Sequence, residues 1–84
     1  NMEDLSLFKP NLSHIEEMQN LVYGDVENGN ILSRDKDEMA TTIRSYIAIR
    51  DKIENKIVGF IALYIYNTQL AEVRSLIVHK DYRG

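Results

Sequence analysis

The apolar positions repeat with two periods along the 84 residues, and each change of period marks an element. In "DLSLFKP" Leu5 and Leu7 alternate with Ser6 and Phe8 and then meet Pro10, which predicts a short first strand ending at Lys9. In "SHIEEMQNLVYGDVENGN" the period lengthens. Ile15, Met18, Leu21 and Val22 share one helical face, Ser13 and Glu16 have the spacing of a capping box, and Asn28-Gly29 supplies a stop. "SRDKDEMATTIRS" predicts a second, shorter helix: Ser33 or Asp35 caps it, Asp35 and Glu38 have box spacing, and Met39 with Ile43 give one apolar stripe. Period two then returns. Residues 45–51 and 57–66 flank a polar loop and read as an antiparallel hairpin. Residues 57–66 are apolar on both faces, which predicts a central strand covered on both sides. The short break at residues 67–69 makes residues 70–79 a third antiparallel strand. The resulting order is strand, helix, helix, strand, strand, strand, an α+β arrangement.

The last strand breaks its own pattern. Ala71 and Val73 put apolar groups on odd numbers, with Glu72 and Arg74 opposite, yet Leu76 and Val78 are apolar on even numbers. Side chains on a strand alternate strictly, so this change of phase calls for one extra residue, a β-bulge near Arg74-Ser75-Leu76. The alternative is a strand simply buried on both faces around Ile77.

Composition narrows the setting. A chain this short forms one small domain, or part of one, whose core is marginal unless something completes it. It is 44% apolar and 27% charged with a net charge of -3, as in an ordinary globular chain, and it offers no basic field for nucleic acid. Cysteine is absent, and two histidines, His14 and His79, are too few for a metal site, so no metal is expected. The longest apolar run is about half the ~20 residues of a membrane helix, and the N-terminus shows no signal region. No membrane partner is expected, and a reducing, cytoplasmic location fits.

At "AEVRSLIVHKDYRG" the chain resembles the GNAT superfamily of N-acetyltransferases. In that family the fourth strand reads apolar-Glu-apolar-x-x-Leu-x-Val, followed by a turn, Tyr and Arg-Gly; Val58-Gly59 and Ala62 match its third strand. Within the superfamily, "ILSRDKDEM" together with "LAEVRSLIVHKDYRG" is similar to amino-acid N-acetyltransferases of the N-acetylglutamate synthase type. The resemblance implies an αβα-layered fold with a mixed sheet, residues 1–84 being the N-terminal part of one acetyltransferase domain that ends inside the acetyl-CoA diphosphate loop. It implies acetyl transfer from acetyl-CoA to the amine of a small molecule, such as glutamate in arginine biosynthesis.

Carried onto this sequence, the resemblance implies roles for particular residues. Backbone N–H groups of the bulged strand near Ile77 and Val78, with Leu76 beside them, would meet the thioester oxygen, their side chains remaining in the core. Arg83 and Gly84 open the loop that holds the diphosphate. Glu72 is the candidate general base, acting directly or through a water. A cleft that desolvated Glu72 would help it, and Arg74 beside it would oppose that; Glu72 paired with Arg74 on the surface is the plain alternative. His79 is a polar turn residue that would at most assist, and His14 a solvated one. Arg34 and Arg74 are the candidates for an acidic substrate's carboxylates, because arginine makes bidentate pairs, though Arg34 also reads as an exposed helix-start residue. Tyr64 and Tyr66 either line the same cleft or cap the core.

The family's general acid lies beyond these motifs, so the 84 residues alone are expected not to turn over substrate. The competing reading is a non-catalytic half-domain that binds acetyl-CoA or a partner chain along the open strand edge. Exposure of Leu76 and Val78 on an unfinished core predicts self-association, and a homo-oligomer is expected.

Overall fold

The computed structural model describes residues 2–26 and 35–83, the side chains of Met2 and of residues 23–26 excepted. A 3-10 turn, Met2–Asp4, leads into β1 (Leu5–Phe8), and another, Leu12–His14, into α1 (Ile15–Val26). Then come α2 (Lys36–Thr41), a turn at Ile43–Ser45, β2 (Tyr46–Asp51), β3 (Lys56–Ile65), β4 (Ala71–Val78) and a last turn, Lys80–Tyr82. The predicted α+β order holds.

The start of α1 differs from expectation. A 3-10 turn precedes it, and Asn11, not Ser13, caps that turn: its Oδ1 accepts the Ser13 N–H at 2.9 Å and the Ser13 hydroxyl at 2.6 Å. His14 Nδ1 in turn accepts the Asn11 N–H at 3.0 Å, and its ring stands edge-on to Phe8, so this histidine is a structural part of the turn. Asp35 caps α2 by accepting the Glu38 N–H at 2.7 Å, as its spacing predicted. The predicted stop at Asn28-Gly29 and the alternative cap Ser33 lie outside the described residues.

The strands form one sheet in the order β1-β2-β3-β4, antiparallel at every pairing, so the expected mixed sheet is antiparallel over these four strands. Ile15, Met18 and Val22 of α1 and Met39 of α2 pack against Tyr46, Ala48, Phe60, Ala62 and Ile77 of the sheet. Both helices therefore cover the same face. On the other face Leu7, Ile65, Val73 and Leu76 are exposed. β3 is central, as predicted, but among the described residues it is covered on one face, and two of the three expected layers are present.

A second irregularity was not foreseen. Ile49 pairs with Gly59 and Arg50 with Ile57, which leaves Val58 as an extra residue in β3. This bulge turns Ile57 into the core, and Glu17 of α1 accepts its N–H at 2.7 Å. An amide that left the ladder thus finds a partner on the helix layer.

Candidate functional site

β4 is the axis of the site, and its register explains the change of phase. Ala62 pairs with Ser75 and Leu63 with Val73, so Arg74 is the inserted residue. The bulge stands where the sequence predicted it, and two-sided burial is ruled out by the exposure of Val73 and Leu76. Glu72 lies opposite Tyr64 and Ile77 opposite Phe60, both partners facing the helices. Even-numbered residues face the helices before the bulge, and odd-numbered ones after it.

The hydrogen-bond phase decides which amides are open. The His79 N–H donates to the Val58 carbonyl at 2.7 Å, which makes Gly59 and Val78 a pair without mutual hydrogen bonds. By alternation Ile77 bonds to Phe60, while the N–H groups of Leu76 and Val78 point away from β3 toward the edge of the sheet. Of the three residues expected to meet the thioester, Leu76 and Val78 therefore offer donors; Ile77 offers a buried side chain, 3% exposed. The Leu76 side chain does not stay in the core: it is 61% exposed, as the unfinished core predicted, because it pairs with Ile61 on the uncovered face, whereas Val78, also predicted exposed, is half-buried. Gly59 permits the close approach of the two strands. A Cβ there would stand 2.9 Å from the Ile77 carbonyl oxygen and 3.4 Å from Ile49 Cδ1.

Toward the start of β4 the structure gathers Glu72, Arg74, Tyr64 and Tyr66. The Tyr66 hydroxyl donates to Glu72 Oε1 at 2.9 Å, and Arg74 Nη1 lies 3.6 Å from the same oxygen. Arg74 Nη1 also donates to the Tyr66 oxygen at 3.5 Å, and its guanidinium lies over the Tyr64 ring, 4.9 Å from the centroid. The Tyr66 contact first, then the Glu72 charge, hold Arg74 still more firmly in its charged form. Glu72 is exposed, so the cleft expected to desolvate it is not formed by the described residues. Arg34, the other candidate for a substrate carboxylate, lies outside the described residues.

At the other end, the chain turns under the sheet. His79 Nδ1 accepts the Asp81 N–H at 3.0 Å and the ring meets Tyr82 edge-on, so His79 caps the last turn rather than reaching toward Glu72. Arg83 Nε donates to the Val78 carbonyl at 2.8 Å, which folds its guanidinium back against the end of β4; Gly84 lies outside the described residues. The Tyr82 hydroxyl donates to Asp51 Oδ2. Asp51 Oδ1 accepts the N–H groups of Ile53 at 2.8 Å and Glu54 at 3.1 Å, closing the β2–β3 turn, in which Asn55 adopts a φ of 53°. The Tyr82 hydroxyl, followed by the Glu54 amide, holds the Asp51 carboxyl below its usual range; the same bond, with burial and the carboxylate charge, pushes Tyr82 up to about 12.

Sequence reading did not select Asp51 or Tyr82. The available signals were an aspartate opening a polar turn and the tyrosine inside "DYRG", but nothing in the spacing joins residues so far apart. Among the described residues there is no group of three or more histidine, aspartate or glutamate side chains able to hold a metal. Nor is any described helix long and apolar enough to cross a membrane.

Comparison with known proteins gives this geometry a context. The profile of the acetyltransferase (GNAT) family matches residues 9–84. N-acetylglutamate synthase from Neisseria gonorrhoeae, solved with coenzyme A and N-acetyl-glutamate, superposes with a TM-score of 0.78 at 18% identity, over 95% of this chain and 19% of that one. A Mycobacterium tuberculosis protein solved in complex with CoA gives 0.73 at 17% identity, over 94% of this chain and 48% of that one. A GNAT-family acetyltransferase from Staphylococcus aureus gives 0.71 at 22% identity, over 93% and 55%. These likenesses show the fold, and the chain spans between about a fifth and just over half the length of these three structures. No curated protein matched the sequence.

Proposed function

The chain belongs to the acetyltransferase (GNAT) family, and on that premise we propose that the whole protein moves an acetyl group from acetyl-CoA to the primary amine of a small molecule, most concretely an amino acid such as glutamate. The observation that carries the reading is the Arg74 bulge, which puts a carboxylate, Glu72, on one side of a break in the strand and outward-facing amides, Leu76 and Val78, on the other. Acetyl-CoA supplies the activated acetyl thioester. Leu76 and Val78 N–H groups donate to an oxygen on which negative charge develops; one well-aimed donor of this kind is worth about 3 kcal/mol. Arg83 brings positive charge to the end of β4, where it meets a diphosphate. As the amine nitrogen bonds to the acetyl carbon and the C–S bond breaks, Glu72 takes the proton from the amine, and coenzyme A leaves as a thiolate that takes up a proton from solvent. Four residues of strand, roughly 13 Å, separate Glu72 from Leu76, more than one water spans, so a chain of waters carries the proton between amine and carboxylate.

Arg74, stacked on Tyr64, presents its guanidinium to a substrate carboxylate, which is the basis for preferring amino acids over simple amines. The N-acetylglutamate bound in the Neisseria structure supports the same preference. The test is an acetyl-transfer screen of the whole protein over amino acids and polyamines, with Glu72→Gln as control. Turnover that Glu72→Gln abolishes while CoA binding persists supports the proposal; turnover confined to polyamines removes the amino-acid part.

One observation favours a non-catalytic alternative, a domain that binds acetyl-CoA without chemistry. Glu72 is exposed and already engaged by Tyr66 and Arg74, as a surface pair would be. A wild-type protein that binds CoA and acetylates nothing in the screen would establish it.

A further inference from the structure

The tie between Asp51 and Tyr82 has no part in the chemistry above, yet Asp51 accepts three hydrogen bonds near the end of β4. Asp51 is 7% exposed and directs one oxygen to the β2–β3 turn and the other to Tyr82. Tyr82 is the last residue of the turn that begins after His79, and its ring is held on two further sides, by the edge of His79 and by the Lys56 ammonium 5.7 Å from its centroid. The next residue is Arg83, whose Nε is held by the Val78 carbonyl. Two anchors, one on β2 and one on β4, therefore fix the chain on either side of the Tyr82–Arg83 peptide.

We infer that Asp51 and Tyr82 are positioning residues for the anionic end of the cofactor: they set the point at which the chain leaves the sheet, and with it the place of the Arg83 charge. This rests on the proposed use of acetyl-CoA. A diphosphate is recognised by groups whose positions are set before it arrives, and a neutral pantetheine arm has no need of a fixed charge. The two parts of the cofactor should therefore respond differently when the tie is cut.

The experiment is calorimetry on the whole protein with CoA and, separately, with acetyl-pantetheine, which lacks the diphosphate. Tyr82→Phe removes the donated hydrogen bond and keeps the ring. It should raise the Kd for CoA about tenfold, the cost of ordering a released Arg83 afresh on binding, and leave acetyl-pantetheine within about twofold. Unchanged CoA affinity, or equal weakening of both ligands, overturns the inference and leaves the proposed function standing. A wild-type protein that binds neither ligand overturns the proposed function and the inference with it. Should Tyr82→Phe fail to fold, Asp51→Asn, which keeps oxygen acceptance but removes the charge, carries the same comparison. Failure of both to fold would make the tie purely architectural and overturn the inference.

Discussion

Up to and including the inserted Arg74, β4 has four successive exposed residues, Ala71, Glu72, Val73 and Arg74, whose polar contacts go to one another and to Tyr64 and Tyr66. After it, Ile77 is buried against Phe60, the strand closes on Gly59, and the chain beyond is tied to β2 through Tyr82 and Asp51. One strand thus has a loosely held half and a rigid half. A bulge is what makes that possible, because the inserted residue absorbs the mismatch between them. The difference suits the proposed function, which asks for room to admit an amine at one end and a fixed hold on a carrier at the other.

The comparison predicts where function and stability separate. Glu72→Gln in the whole protein should lower kcat by about 10²- to 10⁴-fold, the usual contribution of a general base, without a measurable change in melting temperature. A fall in melting temperature comparable to that of a core variant would place Glu72 in the architecture instead. Ile77→Ala and Val73→Ala make the same kind of cut on the two sides of the bulge. Denaturant unfolding should show a loss of about 3 kcal/mol for the first and within about 0.5 kcal/mol for the second. Equal losses would erase the distinction between the halves.

Smaller effects sharpen the picture. Gly59→Ala forces a methyl group against the Ile77 carbonyl, so β3 and β4 must part by a few tenths of an ångström. A loss of about 1–3 kcal/mol is expected, with faster amide exchange at Phe60 and Ile77 but not at Tyr64. The Tyr82–Asp51 tie gives a pH signature. The folded-state value of Tyr82 is raised to about 12, so its contribution is whole below the ordinary tyrosine value of about 10 and is lost as pH rises through 12. Asp51 is lowered, so its contribution is present above the ordinary carboxylate range and lost as pH falls below it. The difference in melting temperature between wild type and Tyr82→Phe should be constant from about pH 5 to 9 and shrink above about pH 10. A difference that persists undiminished beyond that range would mean the hydroxyl stabilises by something other than this bond.

Much of the fold was legible because alternation and helical spacing are local properties. The Arg74 bulge was legible for the same reason, since polar Glu72 and Arg74 on one face make the change of phase visible. The Val58 bulge was not, because the residues around it are apolar on both faces and a shift there alters no pattern. Asn11 and Ser13 are both good caps, and only the geometry of the chain after Pro10 selects between them. In the site, Glu72 and Arg74 could be placed together because they are neighbours on one strand. Asp51 and Tyr82 could not, being joined by topology alone, and which of the Leu76, Ile77 and Val78 amides is open depends on a hydrogen-bond phase that side-chain chemistry does not encode.

Glu17 gives the Val58 bulge a second meaning. The amide that the bulge turns out of the ladder belongs to one position on β3, and the carboxylate that meets it belongs to one turn of α1. Sliding α1 by one residue would shift that carboxylate about 1.5 Å along the helix axis and swing it through about 100°. The bond therefore acts as a registration mark between layers: a defect in the sheet is the address at which the helix docks. Lengthening α1 ahead of Glu17 by a residue would send the carboxylate to the wrong address, whereas the same insertion after Val22 would leave the mark aligned.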